Sequence, residues 1–214
     1  GDHLYRFHNH ENLAHYANAA CDIEFLFPMG FKELEGIHSR TDFDLKSHQK
    51  LSGKKINYYD QKTKSSFVPY VIETSVGLDR LFLSVLSASY QNQKLKNGTE
   101  RIFLKIPFGI APIKAAILPL NAKDNLPEKA KLLYDELKTF FNIQYDEKDS
   151  IGKRYRRQDA IGTPYCITFD YDTLKDNSVT IRNRNSMVQE RVLLSSTKDY
   201  IINNVSIDNL LTQV

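Results

Sequence analysis

The sequence contains no apolar run near the roughly 20 residues that a bilayer-spanning helix needs, so no helical membrane anchor is expected within it. Its first residues, Gly1-Asp2-His3-Leu4-Tyr5-Arg6, carry neither an initiator Met nor a signal-peptide pattern, and the chain reads as a fragment with a cytoplasmic location. Cysteine is scarce. Cys21 and Cys166 lie far apart, which argues against a disulfide framework and for reduced thiols. All six histidines fall within the first 48 residues, yet none is spaced with cysteine as a zinc site would be. Lone histidines are ordinarily structural or solvated, so no metal site is expected. Neither sign of charge is in large excess: 29 Lys and Arg face 26 Asp and Glu, and a net charge of +3 does not decide for or against a nucleic-acid partner. Repeats and low-complexity segments are absent as well.

What is present is an ordinary globular composition, 41% hydrophobic and 26% charged, over a length sufficient for one large domain or two modest ones. Charge is unevenly spread. The histidines occupy the first part, and the densest basic cluster, Lys153-Arg154-Tyr155-Arg156-Arg157, lies in the second. That asymmetry points to two functional units. Hydrophobic periodicity predicts a helix over 11–20, a strand over 21–27 and, after the Pro28-Met29-Gly30 turn, a strand over 31–37. A short helix capped around Thr41-Asp42 to about Leu51, a buried strand over 70–74 and a helix from 78 to about 90 follow. Residues 91–98, Gln-Asn-Gln-Lys-Leu-Lys-Asn-Gly, are polar and nearly core-free. They mark the expected boundary between domains 1–98 and 99–214. Strands over 113–118, 143–145, 165–169, 179–184 and 190–194 then alternate with helices over 127–141, 150–161 and 196–204. The fold class is therefore α/β (α+β), with a five-stranded mixed sheet in the second domain.

The chemistry concentrates in Tyr70-Val71-Ile72-Glu73-Thr74-Ser75-Val76-Gly77-Leu78-Asp79-Arg80. A strand would carry Glu73 and Ser75 on one face. Gly77 would let the backbone turn or a ligand approach closely, and Arg80 would fall in the first turn of the next helix. An acid, a hydroxyl and a guanidinium meeting there could hold an ammonium group beside a phosphate. Equally, Glu73 could cap a turn and Arg80 form a surface ion pair. Further on, helical spacing gathers Lys153, Arg156 and Arg157 on one face with Arg154 at its flank. That face suits an RNA backbone, or merely solvates an exposed helix.

Three blocks in order carry a family resemblance. Glu73-Thr74-Ser75-Val76-Gly77-Leu78-Asp79-Arg80 resembles the third signature motif of class II aminoacyl-tRNA synthetases in its glycyl form, Glu-Pro-Ser-x-Gly-x-Asp-Arg, with Thr74 in place of proline. Glu33-Leu34-Glu35-Gly36-Ile37-His38-Ser39-Arg40-Thr41-Asp42-Phe43-Asp44-Leu45 resembles the same family's Glu-Leu-x-Gly-Ile-x-x-Arg-Thr-Asp-Phe-Asp-Leu block. Residues 150–165 and Val179-Thr180-Ile181-Arg182-Asn183-Arg184-Asn185-Ser186-Met187 resemble the anticodon-binding domain of the glycyl, histidyl, threonyl and prolyl enzymes. Asn183 and Asn185 stand there in place of two aspartates, removing negative charge near the implied RNA face.

The resemblance implies the end of a class II antiparallel-sheet catalytic domain followed by an anticodon-binding domain. It implies ATP contacts from Glu33, Leu34, Gly77, Leu78, Asp79 and Arg80, and glycine contacts from Glu73, Thr74, Ser75, Val76 and Gly77. It implies tRNA contacts from Lys153, Arg154, Arg156, Arg157, Arg182 and Arg184. ATP with Mg2+ would enter as substrate beside glycine and tRNA(Gly), with no tightly bound cofactor, no residue in covalent catalysis and a homodimeric parent enzyme. The family's first two motifs are not recognisable, so this chain alone is expected to be inactive. The other reading is a non-catalytic paralogue that binds nucleic acid, as the accessory subunit of the mitochondrial DNA polymerase does.

Overall fold

The structure, a computed structural model, describes residues 2–212. It divides into two compact units, Gly1–Ala88 and Ser89–Val214.

The first unit is built on a four-stranded antiparallel sheet. Its strands β1 (Tyr5–Asn9), β2 (Ala19–Phe27) and β3 (Gly30–Ser39) are followed by helix α1 (Phe43–Ser52) and a small hairpin, β4 (Tyr58–Asp60) with β5 (Ser65–Phe67). Strand β6 (Ile72–Val76) then returns to pair with β3, giving the order β1-β2-β3-β6, and helix α2 (Leu78–Ser89) leaves from its end. Phe25, Phe27 and Leu34 form the core of this sheet.

Residues 11–18, expected as helix, form the turns that link β1 to β2. Ala17 N–H bonds to the Ala14 carbonyl at 2.9 Å and Asn18 N–H to the Ser39 carbonyl at 3.0 Å. The apolar stripe there has little to pack on, Leu13 being 40% exposed, and a helix that short is marginal without packing. The segment 70–74 is not a buried strand either. As the sheet's edge, β6 has one neighbour, and Ile72 is 64% exposed. Helix α1 forms as expected, but no side chain caps it: the Asp42 carboxylate pairs with Lys46 Nζ at 2.6 Å.

In the second unit a hairpin of β7 (Tyr90–Lys94) and β8 (Glu100–Leu104) comes first. The polar stretch expected to mark the domain boundary is a strand and its turn, closed by Gly98 at φ +80° and by Asn97 Oδ1, which accepts from Thr99 N–H and Oγ1–H. Polarity there reflects two exposed strand faces, which look like a linker in sequence. Next come β9 (Ala115–Pro119), α3 (Leu126–Leu137), β10 (Ile143–Tyr145), α4 (Ile151–Ile161) and β11 (Tyr165–Phe169). The short helix α5 (Thr173–Asp176), strands β12 (Ser178–Asn183) and β13 (Gln189–Leu193), and helices α6 (Leu194–Val205) and α7 (Ile207–Leu211) complete it.

The sheet order is β10-β9-β11-β12-β13, parallel across the first three strands and antiparallel across the rest. Ala115 and Ile117 pack with Ala130, Leu133, Leu137, Ile201 and Val205 of α3 and α6. Ala116, Leu118 and Cys166 pack with Ile151 and Tyr155 of α4. Both faces are covered, so β9 and β11 are buried along their whole length, as parallel strands between helix layers must be.

Candidate functional site

The site in the first unit grows from the β3–β6 pairing. The register sets Gly36 opposite Ser75, Glu35 opposite Val76 and His38 opposite Glu73. On its other side, β3 carries one residue more than β2: Ile23 faces Glu35 while Glu24 faces Glu33, leaving Leu34 as a bulge. A bulge re-aims the side chains beside it. Here Leu34 turns into the core and Glu33 outward, towards the start of α2.

Arg80, in the first turn of α2, meets Glu33 there. Its Nη1 donates to the Glu33 carbonyl at 2.7 Å and to Glu33 Oε2 at 3.1 Å. Glu33, Leu34, Ser75, Gly77, Leu78, Asp79 and Arg80 line an open hollow of about 500 Å³. Both charged side chains are about half exposed (52% and 51%), so the pair is not committed to the interior and can accept a charged ligand. Gly77 is not in the left-handed region, so the turn itself does not demand glycine. A side chain there would meet only Arg80 carbons, at 3.8 Å or more.

Glu73 and Thr74 open instead on a second hollow, with Arg40, Asp44, Leu45, His48, Val71 and Ile72. Arg40 Nη1 lies 2.7 Å from Glu73 Oε2. The same guanidinium bonds Asp44 through Nε at 2.6 Å and Nη2 at 3.1 Å, and lies 4.1 Å over the Tyr16 ring. The hydrogen bond to Asp44, outweighing desolvation, raises the Arg40 pKa and lowers that of Asp44. Arg40 is the site residue that sequence reasoning passed over. Its signal was present in the Arg40–Asp44 spacing of four residues on the Thr-Asp-Phe-Asp segment.

In the second unit the six expected RNA-binding cations separate into two groups. Three are interior. Arg154 is 1% exposed and donates to the carbonyls of Pro119 (2.6 Å), Leu120 (3.0 Å) and Asp146 (3.0 Å), closing the loops after β9 and β10. Arg182 holds Asp159 of α4 through two bonds of 2.9 and 3.1 Å, and Arg101 of β8 donates to the same carboxylate at 2.9 Å. Arg184 is 1% exposed and bonded to the carbonyls of Gly162 and Ile106. These guanidiniums are consumed by the fold, which corrects the expectation that they face RNA. The basic run misled at Arg154 alone: the face of Lys153, Arg156 and Arg157 stays outside, while Arg154 at its flank turns inward onto loop carbonyls. Arg156 and Lys153 lie at the surface, while Arg157 is tied to Asp146 and Asp149 at 2.7 and 2.8 Å.

The anticodon binding domain family matches residues 114–204, within the second unit. The match gives the second unit the class of an anticodon-binding domain. Over 194 residues the chain is 51% identical to the glycine–tRNA ligase of Chlorobaculum tepidum, covering 91% of this chain and 41% of that protein. It is 53% identical over 196 residues to the glycine–tRNA ligase of Clostridium beijerinckii and 50% identical over 199 residues to that of Borreliella burgdorferi. Those alignments cover 92% of this chain in both cases, and 42% and 45% of the relatives. Nearly the whole chain thus aligns with glycine–tRNA ligases, and it spans less than half the length of those relatives.

Proposed function

We propose that these residues are the C-terminal portion of a class II glycine–tRNA ligase, contributing one wall of its glycine and ATP pocket and its anticodon-binding domain. The observation that carries this reading is the convergence of Glu33, Ser75, Gly77 and Arg80 on one hollow. In the reaction a glycine carboxylate oxygen attacks the α-phosphorus of ATP, the bond to the β-phosphate oxygen breaks, and glycyl-adenylate and pyrophosphate form. The glycyl group then passes to the terminal adenosine of tRNA(Gly), releasing AMP. Such chemistry relies on positioning and charge stabilisation rather than on a protein nucleophile.

Arg80 would neutralise polyphosphate charge, with Leu34, Gly77, Leu78 and Asp79 framing the nucleotide. Mg2+ brought in with ATP would ask for few protein carboxylates, and Glu33 would supply one. Glu73 would pair with the glycine ammonium from the hollow it shares with Thr74, its carboxylate set by Arg40, while Ser75 would face the substrate from the Glu33–Arg80 hollow. Exposed Lys153 and Arg156, with Arg157, would hold the anticodon-loop backbone, since phosphate contacts position an RNA. A homodimeric, cytoplasmic parent enzyme follows from the same family reading. The alternative of a non-catalytic nucleic-acid-binding paralogue is disfavoured because Glu33, Ser75 and Arg80 remain together.

The decisive measurement is pyrophosphate exchange by the full-length enzyme carrying Glu73→Ala. The KM for glycine should rise at least tenfold while the KM for ATP changes little. An unaltered glycine dependence would remove Glu73 from the pocket.

A further inference from the structure

The hollow that holds Glu73 contains more acid than base. Arg40, Asp44 and Glu73 are the charged side chains on its wall, and His48 is the other titratable one. One guanidinium therefore stands between two carboxylates. Pairing Glu73 with a substrate ammonium gives one of those carboxylates a task and leaves Asp44 without one.

The guanidinium is divided unequally between them. Its Nε and Nη2 donate to the two Asp44 oxygens at 2.6 and 3.1 Å. Only Nη1 is turned to Glu73, 2.7 Å from Oε2, and Glu73 Oε1 has no partner among the described residues. A two-pronged fork is the geometry in which arginine satisfies a carboxylate most fully. Asp44 has that fork and Glu73 does not. The Glu73 side chain is also the more open of the two, 39% exposed against 25%.

The local fold holds this division in place. Asp44 lies in the first turn of α1, where the helix dipole favours an anion. Thr41, at φ +55°, turns the chain from β3 into α1, and its hydroxyl donates to the Tyr16 carbonyl at 3.2 Å. The Tyr16 ring backs the guanidinium, 4.1 Å from its carbon. Arg40 N–H donates to the Val71 carbonyl and Val71 N–H to the Thr41 carbonyl, both at 2.9 Å, which sets Arg40 beside the chain that leads into Glu73.

Without the charge at Asp44, the Arg40 fork would be free to close on Glu73, take up both its oxygens and cancel its charge. With Asp44 present, the guanidinium and the two carboxylates together keep one net negative charge, and Glu73 Oε1 is where it is accessible. We propose that Asp44 is a positioning residue for amino-group recognition: it occupies the Arg40 fork and so keeps one oxygen of Glu73 available to the substrate ammonium. The inference deepens the reading of Glu73 as the ammonium partner and rests on it.

The test is pyrophosphate exchange by the full-length enzyme carrying Asp44→Asn, Asp44→Glu, Glu73→Ala, or Asp44→Asn with Glu73→Ala. Asp44→Asn should raise the KM for glycine about fivefold, with kcat and the KM for ATP changed by less than about twofold, a split that lost folding would not produce. Asp44→Glu, which keeps the charge, should recover most of the loss. In the Glu73→Ala background Asp44→Asn should raise the glycine KM no further, because residues acting through one another are not additive. An unchanged glycine KM in Asp44→Asn, or an effect that persists undiminished without Glu73, overturns the positioning role while the Glu73→Ala defect leaves the pocket standing. A Glu73→Ala enzyme with normal glycine dependence overturns the pocket reading itself, and this inference with it.

Discussion

Arginine does opposite work in the two units, and burial decides which. Arg80 is half exposed and shares its guanidinium with Glu33 at an open hollow, whereas Arg101 and Arg182 close on Asp159 in the interior. Removing one partner of a buried ion pair leaves the others uncompensated. Asp159→Ala should therefore lower stability by about 3–5 kcal/mol in a denaturant titration, while Asp149→Ala, at the surface, should change it by less than about 1 kcal/mol. Gly162, the left-handed cap of α4 at φ +82°, is another position with no slack: a Cβ there would lie 2.8 Å from Ile106 Cδ1. Cys166 illustrates burial acting on reactivity. Its fully enclosed thiol has its pKa pushed up to about 12 by desolvation, and the thiolate is the reactive form. Mass spectrometry after iodoacetamide treatment of native protein at pH 8 should find Cys166 unmodified, with labelling appearing only on unfolding.

At the scale of elements, the corner after β11 is held by one carboxylate. Asp170 accepts from the Thr173 N–H and hydroxyl at 3.0 Å each, from Thr180 Oγ1 at 3.1 Å, and from Arg191 Nη1 at 2.7 Å. Partial burial pushes its pKa up, but the hydrogen bonds together outweigh that and hold it below the ordinary carboxylate range. A depressed carboxyl pKa contributes stability above the unfolded value, about 3.9, and loses it as pH falls through the lower folded value. Asp170→Asn should thus be less stable than wild type at pH 6, and the gap in Tm should narrow steadily below pH 4. The elements that sequence periodicity located well were those with one buried stripe and clear punctuation. Helix α3 carries Pro127 in its first turn, though it stops at Leu137, short of the expected 141; α4 is capped by Gly162, and β10 and β11 have the expected limits. Those it misplaced depend on neighbours: the turns before β2, the exposed edge strand β6, and the β7–β8 hairpin, whose first strand is exposed on both faces and so carries no period-2 contrast.

At the scale of the whole molecule, the first unit contributes one cation, Arg80, to its hollow, and that one pairs with Glu33, while adenylate formation requires charge stabilisation at the α-phosphate as well. The 214-residue chain by itself should show no glycine-dependent pyrophosphate exchange above background. Exchange near the rate of the full-length enzyme would show that these residues suffice. No described helix is long and apolar enough to cross a membrane.

The likeness to glycine–tRNA ligases, the mixed sheet of the second unit and the motif around Glu33, Ser75 and Arg80 were legible in the sequence, because motif chemistry and hydrophobic period are local properties. Tertiary structure alone decided where those side chains go. The bulge at Leu34 aims Glu33 at Arg80, Arg40 takes hold of Glu73, and the packing of α4 against its sheet encloses Arg154 and Arg182 while Arg156 stays out. Each outcome depends on partners far away in the chain, and whether a charge can remain at the surface is settled only when those partners pack.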